Sequence, residues 1–427
     1  MRTLPAGLLV LALAVAAPAG GGSPDFESLA DAHAEEAIRI RRTLHARAEL
    51  SLREHETQRI VRERLAAIPG IEIVPGDWGT GIVARLAGGR PGPTVAYRSD
   101  MDALPIREET GLPFACVRTD TLDGRAVGVM HACGHDFHMA ILLGVAAVLS
   151  EVRERLPGSV LFLLEPAEEI GAGARMLLEA GVFEEGREPA AIFATHVHPS
   201  LPVGRIGYCP GYATGNVDTF RLRIAGVGGH GAYPHETVDP VVLAARTVLA
   251  LQTLVSREID TAKQAVVSVG SIHGGTKSNV IPDEVVLTGT IRTLDPAVRD
   301  QIHGAIPRLV TGIAASAGAP EPETRTSYGT PSLYNDPEVV TRSLPVLRRV
   351  LGEENVVAYD PAMGGEDFAR FATVVPGFLF RLGVGRPDRE MALHRASFDP
   401  DERAIPLGMR VVAELLWEHL AGPDTAE

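Results

Sequence analysis

Residues 137–169 read FHMAILLGVAAVLSEVRERLPGSVLFLLEPAEE. Two periodicities meet in this stretch. Ile141, Leu142, Val145, Val148, Leu149 and Val152 recur at helical spacing, and Pro157-Gly158 stops that pattern. Ser159–Leu164 is then an unbroken apolar run, as expected of a strand covered on both faces, and Glu165 follows it directly. The same alternation continues outward. Pro93–Ser99 reads as a short strand ending at Asp100, Ala172–Ala180 as a helix ended by Gly181, and Ala190–Ala194 as another buried strand. Upstream, Ala30–Leu65 is helical with a break near Ala48-Glu49-Leu50. Doubly buried strands alternating with helices predict an α/β domain on a mostly parallel sheet.

The middle of the chain has a different pattern. Val217–Ala225 alternates as a half-buried strand does, and Asp239-Pro240 opens a helix running to about Ile259, with Asp as N-cap and Pro in the first turn. Strands at Ala265–Ile272 and Glu284–Thr293, a helix at Ala297–Ala315 and a strand at Glu323–Ser327 complete a β-α-β-β-α-β order, that of a ferredoxin-like α+β domain. The α/β pattern then returns, with helices at Pro337–Leu351 and Pro406–Leu420 around a strand at Gly377–Leu382. The expected division is an export signal over 1–23, the first part of the main domain over 24–213, an inserted domain over 214–328 and the second part of the main domain over 329–427.

The chain has 427 residues, 45% of them hydrophobic, enough for more than one core. Its net charge of −14 argues against nucleic acid or an anionic membrane surface as a partner. Arg2, the apolar run Leu8–Ala17 and Ala17-Pro18-Ala19 match a signal peptide with a small-residue cleavage site. The expectation is export to the periplasm or the exterior, with no stable membrane insertion after cleavage. There are three cysteines, at 116, 133 and 209. An odd number in an exported chain leaves one thiol to explain. If Cys133 has another role, Cys116 and Cys209 either pair or stand as two unrelated buried thiols, the second being the simpler reading.

Polar residues gather where the strands end. Asp100 and Asp102 follow one strand, Glu165, Glu168 and Glu169 the next, and His196 and His198 close a third. Ligands of open α/β sheets bind beyond the carboxyl ends of the strands, so these segments feed one rim. The segment 130–138, MHACGHDFH, places Cys133 and His135 either side of a glycine just before a helix. Thiolate and imidazole suit zinc-like ions. Glu168-Glu169 sits in a rigid, then Gly-rich loop. Neighbouring carboxylates pointing apart can divide two duties, one holding a metal ion and the other accepting a proton from the attacking water.

Taken in order, these motifs resemble the M20 metallopeptidase family, in particular its amidohydrolase subgroup of aminoacylase-like, hippurate-hydrolase-like and indole-acetyl-amino-acid-hydrolase-like enzymes. The likeness rests on Leu44-His45, Glu49-Leu50-Ser51, Asp100-Met101-Asp102-Ala103-Leu104-Pro105, His131-Ala132-Cys133-Gly134-His135-Asp136, Pro166-Ala167-Glu168-Glu169, Gly228-Gly229-His230, Ser278-Asn279-Val280-Ile281-Pro282-Asp283, Gly289-Thr290-Ile291-Arg292, Gly365-Glu366-Asp367-Phe368 and Leu393-His394. One departure is Arg47-Ala48-Glu49-Leu50, where the family usually has His-Pro-Glu-Leu.

The resemblance implies that Cys133, His135, Glu169, His196 and His394 hold two divalent ions, zinc or manganese foremost, with cobalt or nickel as alternatives. It implies Glu168 as general base, Asp102 as the residue orienting His135, and His230 of the inserted domain as the group polarising the scissile carbonyl, often from a neighbouring subunit. Asn279 and Arg292 would hold the substrate. The implied reaction is amide hydrolysis in an N-acyl amino acid or a related small conjugate. A dipeptidase or carboxypeptidase, or a catalytically silent peptide-binding homologue, are the alternatives. A homodimer through the inserted domain is also implied. His198, two residues beyond His196 on the same strand face, is its rival as a ligand.

Overall fold

Asp-Pro pairs start three of the helices. Asp239, Asp295 and Asp336 each cap a helix whose first residue is proline, and each carboxylate accepts a backbone N–H of the first turn. Proline gives up no bond there, because the first N–H groups of a helix have no partner within it. A computed structural model describes residues 23–184 and 186–422. Apart from Ser23, the expected export signal lies outside them.

In chain order the main elements are α1 (Phe26–His45), α2 (His55–Ala66), β1 (Ile71–Ile73), β2 (Ile82–Ala87), β3 (Arg90–Asp100), α3 (His135–Glu151), β4 (Pro157–Glu165), α4 (Gly173–Glu179), β5 (Ala191–Pro202) and β6 (Ile206–Tyr208). Next come β7 (Val217–Ala225), α5 (Pro240–Arg257), β8 (Ala265–His273), β9 (Glu284–Thr293), α6 (Pro296–Ala315) and β10 (Glu323–Thr330). The chain closes with α7 (Pro337–Leu351), β11 (Val356–Ala358), α8 (Phe368–Ala372), β12 (Gly377–Gly385) and α9 (Ala404–Ala421).

Eight strands form the main sheet in the order β1-β2-β4-β3-β5-β12-β6-β11. The central four, β4, β3, β5 and β12, are mutually parallel. Beside them β2 runs antiparallel to β4 and β6 antiparallel to β12. The expected mostly parallel α/β sheet is present, with antiparallel margins that three-residue strands such as β1, β6 and β11 are too short to announce. Alternate residues of the central strands enter two cores. Phe162, Leu164, Phe193, Phe378 and Phe380 pack with α1, α3 and α9, while Leu161, Leu163, Ile192, Ala194 and Leu379 pack with Phe368 and Phe371. This two-sided burial is why β4 reads as unbroken apolar sequence. α3 is buried almost all round. At Gly144 it meets α9 so closely that a Cβ would stand 2.5 Å from Met409 Sδ.

The elements from β7 to β10 form a separate four-stranded sheet in the order β8-β9-β7-β10, antiparallel throughout, with α5 and α6 sharing its own core. This is the ferredoxin-like arrangement expected for the middle of the chain. All three cysteines are free and buried, so Cys116 and Cys209 are two separate thiols. Among the described residues, no helix is long and apolar enough to cross a membrane.

Candidate metal centre

Most of the functional side chains are delivered at or near the end of an element, and His196 from within a strand. Asp100 ends β3 and Asp102 lies just beyond it. Cys133 precedes α3, and the left-handed turn at Gly134 (φ +85°) swings the chain so that His135 begins the helix. Glu168 and Glu169 lie one turn past β4, reached through Ala167, whose φ of 54° is uncommon for a residue with a side chain. Buried Glu54 pins that turn. One of its oxygens accepts the Ala167 N–H at 2.9 Å and the other the Thr80 hydroxyl at 2.6 Å. His196 lies within β5. His394 arrives from the loop after β12 with φ 60°, its N–H held by the Ala132 carbonyl at 2.8 Å.

These groups meet around the Cys133 sulfur. His196 Nε2 is 3.5 Å and His394 Nε2 3.3 Å from Sγ. Glu169 Oε1 lies 3.7 Å from His394 Nε2 and 3.9 Å from His135 Nε2, and Glu168 Oε2 is 4.0 Å from His135 Nε2. Four ligand-sized groupings result, Cys133–His135–His196, Cys133–Glu169–His394, His135–Glu168–Glu169 and Asp100–His135–His138, each with its donor atoms within 4.8 Å of one another.

The far side of each ring fixes its tautomer. His135 Nδ1 faces the Asp102 carbonyl oxygen at 2.9 Å, with an Asp102 carboxylate oxygen at 3.3 Å, and His196 Nδ1 faces the Val197 carbonyl at 2.8 Å. Carbonyl oxygens only accept, so both Nδ1 atoms carry the proton and both Nε2 lone pairs face the centre, the usual arrangement of ligating histidines. His138 differs. Its Nε2 accepts the Val197 N–H at 2.9 Å and its Nδ1 donates to Asp100 at 2.6 Å, so neither nitrogen is free for a metal although it lies beside His135.

Charge makes the same point. Burial, then Glu169, pushes the Cys133 thiol well above its ordinary range. Burial, then Glu366, raises Glu168 strongly, and burial lifts Glu169 to about 7 despite the opposing pull of His135. A buried thiol and two carboxyls side by side lack countercharge, and divalent cations supply it. His135 Nε2 and Glu169 Oε1 are buried with no hydrogen-bond partner. The donor set of thiolate, imidazoles and carboxylates therefore fits two divalent ions.

Below Glu168 lies a charge network that the sequence reading did not assign. Arg98 is buried and bonds Asp100 at 2.7 Å, Glu165 at 2.5 Å and Glu366 at 3.2 Å. The Asp367 N–H reaches Glu168 Oε1 at 3.3 Å, so the loop before α8 braces the carboxylate. The sequence signals were the alternating Arg98, Asp100 and Asp102 at a strand end and the Glu366-Asp367 pair. Glu54 left no signal.

Two of the expected residues stand elsewhere in the chain. His230 and Asn279 are exposed neighbours on a two-stranded ribbon, where His230 pairs with Val280 and the Asn279 carbonyl accepts the Gly231 N–H at 2.9 Å. Neither lines the cleft of about 920 Å³ that contains Cys133, Glu168, Glu169, His196 and His394. Arg292 does line it, as does His198. His198 turns Nε2 to Arg381 at 3.3 Å instead of toward the cysteine.

The family model for "Peptidase family M20/M25/M40" matches residues 96–418. The N-acetylcysteine deacetylase of Bacillus subtilis (strain 168) is 40% identical over 380 residues, 88% of this chain and 95% of its own length. The N-acetyldiaminopimelate deacetylase of Anoxybacillus flavithermus (strain DSM 21510 / WK1) is 37% identical, over 88% of this chain and 95% of its own. Among solved structures, the Bacillus subtilis YXEP protein, described as a dinuclear metal binding peptidase from M20 family, superposes with a TM-score of 0.79 at 37% identity, covering 92% of this chain and 99% of that one. The chain belongs to peptidase family M20. Within it, this protein is a metal-dependent hydrolase of amide bonds.

Proposed function

We propose that the enzyme hydrolyses small N-acyl amino acids to a carboxylic acid and a free amino acid, using two divalent ions held by Cys133, His135, Glu169, His196 and His394. The observation that carries this reading is the convergence of those five donors beside Glu168, which the five leave unengaged. When bound, the ions supply Lewis acidity toward the amide carbonyl and lower the pKa of the attacking water. Glu168 takes a proton from that water at Oε2, its other oxygen being held by the Asp367 N–H, and then delivers the proton to the leaving nitrogen. Asp102 and the Val197 carbonyl keep His135 and His196 in the ligating tautomer. Arg292, in the cleft with no carboxylate within ion-pair distance among the described residues, suits the free carboxylate of the amino acid through its planar fork. A cleft of about 920 Å³ suits a small molecule.

Three finer points belong to the proposal. Zinc or manganese is the expected metal, since a thiolate favours zinc while carboxylate and imidazole accept either, and cobalt or nickel remain alternatives. A homodimer through the inserted domain would bring the ribbon carrying His230 and Asn279 to the cleft of a second copy. The apolar run and Ala17-Pro18-Ala19 support export of the mature chain.

The test is turnover by the protein loaded with each metal in turn, against N-acetyl and N-benzoyl amino acids, dipeptides and a longer blocked peptide. The acyl amino acids are expected to be cleaved fastest. Preferential cleavage of internal peptide bonds would overturn the reading, and fastest turnover of dipeptides would reassign the enzyme to peptide release.

A further inference from the structure

Four arginines line the cleft: Arg175, Arg292, Arg370 and Arg381. Arg370 is spoken for by Asp367 at 3.0 Å, and Arg175 lies 4.0 Å from Glu179. Arg292 and Arg381 have no carboxylate within ion-pair distance among the described residues, although this wall of the cleft also carries Glu366 and Asp367. Given Arg292 as the seat of one substrate carboxylate, Arg381 is left without a role in the mechanism.

Arg381 is built into place. Its Cα pairs with that of the metal ligand His196 across β12 and β5, so it stands one strand away from the reacting centre. Its guanidinium lies 3.8 Å from the centroid of the Tyr359 ring, and Nη1 is 3.3 Å from His198 Nε2. Arginine has no acceptor, so Nη1 donates and Nε2 accepts; the proton of neutral His198 is therefore on Nδ1. Nδ1 of His198 and the hydroxyl of Tyr359 are both buried without a partner. The result is a flat cation held on an aromatic ring, with one of its five N–H donors used by His198, and with further unfilled hydrogen-bonding capacity around it. A planar fork of this kind matches a carboxylate.

We propose that Arg381, braced by Tyr359 and His198, is a specificity-determining residue that binds a second carboxylate of the substrate, distinct from the one assigned to Arg292. The preferred substrate is then an N-acyl amino acid with two carboxylates, the second borne by either the amino acid side chain or a dicarboxylic acyl group. This inference rests on the amide-hydrolase reading proposed above.

The test uses the metal-loaded full chain and two matched pairs, N-acetylglutamate against N-acetylglutamine and N-succinylleucine against N-butyrylleucine. The pair that responds tells which side of the amide carries the second carboxylate. The expected result is that one diacid exceeds its neutral match by tenfold or more in kcat/KM. Arg381→Met then lowers that diacid at least tenfold, chiefly through KM, and changes the neutral substrates less than twofold. Arg381→Lys, which keeps the charge without the fork, loses less on the same diacid and nothing on the neutral compounds. Equal turnover within both pairs, or equal losses on diacid and neutral substrates, overturns the proposal while leaving amide hydrolysis intact. Calorimetric titration of glutarate gives a readout independent of turnover. If no amide is cleaved, the functional reading fails, yet glutarate binding that weakens at least tenfold in Arg381→Met still supports the subsite, and equal binding by both proteins overturns it.

Discussion

Glu168 and Glu169 are adjacent and chemically alike, and only their surroundings separate them. Glu169 Oε1 faces His394 and His135, whereas Glu168 is bonded by the Asp367 N–H and stands over the network of Arg98, Asp100, Glu165 and Glu366. General acid–base assistance contributes roughly 10²–10⁴-fold to a rate. Glu168→Gln keeps the shape and removes the proton acceptor. The expected outcome is a fall in kcat of that order with two metals still bound, measured by turnover and metal analysis on the same preparation. Near-normal turnover with both metals present would remove Glu168 from the role. His138 gives the converse lesson at this scale. Its composition and position suit a ligand, but both ring nitrogens are occupied by Asp100 and Val197.

At the scale of elements, the turn before α3 is the most constrained point of the site. Gly134 has φ +85°, and a Cβ there would meet Val197 Cγ2 at 2.4 Å. A left-handed residue with a side chain costs about 1–2 kcal/mol before any clash. Gly134→Ala should therefore lower the melting temperature and, by displacing Cys133 and His135, reduce the bound metal. A variant with full metal content and unchanged melting would show that the turn has slack. The packing of α9 on α7 gives a pH prediction away from the metals. His419 on α9 is bonded to Ser343 on α7 at 3.0 Å and lies against Phe193. Burial and Arg342 push its pKa down to about 3, against about 6.5 in an unfolded chain. Above pH 6.5 the ring is neutral in both states and contributes no pH dependence. Below it the unfolded chain takes up a proton that the folded one refuses, so stability falls by at most about 1.4 kcal/mol per pH unit until about pH 3. His419→Gln removes this loss. The stability advantage of the wild type over the variant, from denaturant unfolding at pH 7, 6, 5 and 4, should shrink as the pH falls; a constant difference would mean that His419 is not held neutral.

For the whole molecule, the proposed metal centre would act as a tether. Its donors come from the turn after β4, from β5, from the start of α3 with the residue pair before it, and from the loop before α9, segments spread from residue 133 to 394. Ions bound only by the folded state stabilise it by mass action, about 4 kcal/mol at a thousandfold excess over the dissociation constant. Chelation is therefore expected to lower the melting temperature by several degrees, and restoring zinc or manganese to recover it. A melting temperature indifferent to chelator, with metal loss verified, would show that the site is organised without its ions.

Much of this was determined by the sequence alone. Local periodicity sufficed for α3 and β4, because an all-round apolar helix and a doubly buried strand leave unmistakable patterns. The Asp239-Pro240 start was sufficient for α5. Cys133, His135, Glu168 and Glu169 pointed to a metal centre because few other arrangements use those residue types at strand and helix ends, and His394 entered only through the family resemblance. What the tertiary structure decided depends on neighbours far apart in the chain. Glu54 holds Ala167, 113 residues away, and nothing local marks it. Arg98 collects carboxylates from three segments, and Arg381 meets His198 because β12 lies next to β5. His196 and His198 are equivalent by strand alternation, and what separates them is which neighbour each ring meets, Cys133 or Arg381. Periodicity reports which face a residue occupies; the partner it finds there is set by the packing of elements that sequence proximity does not encode.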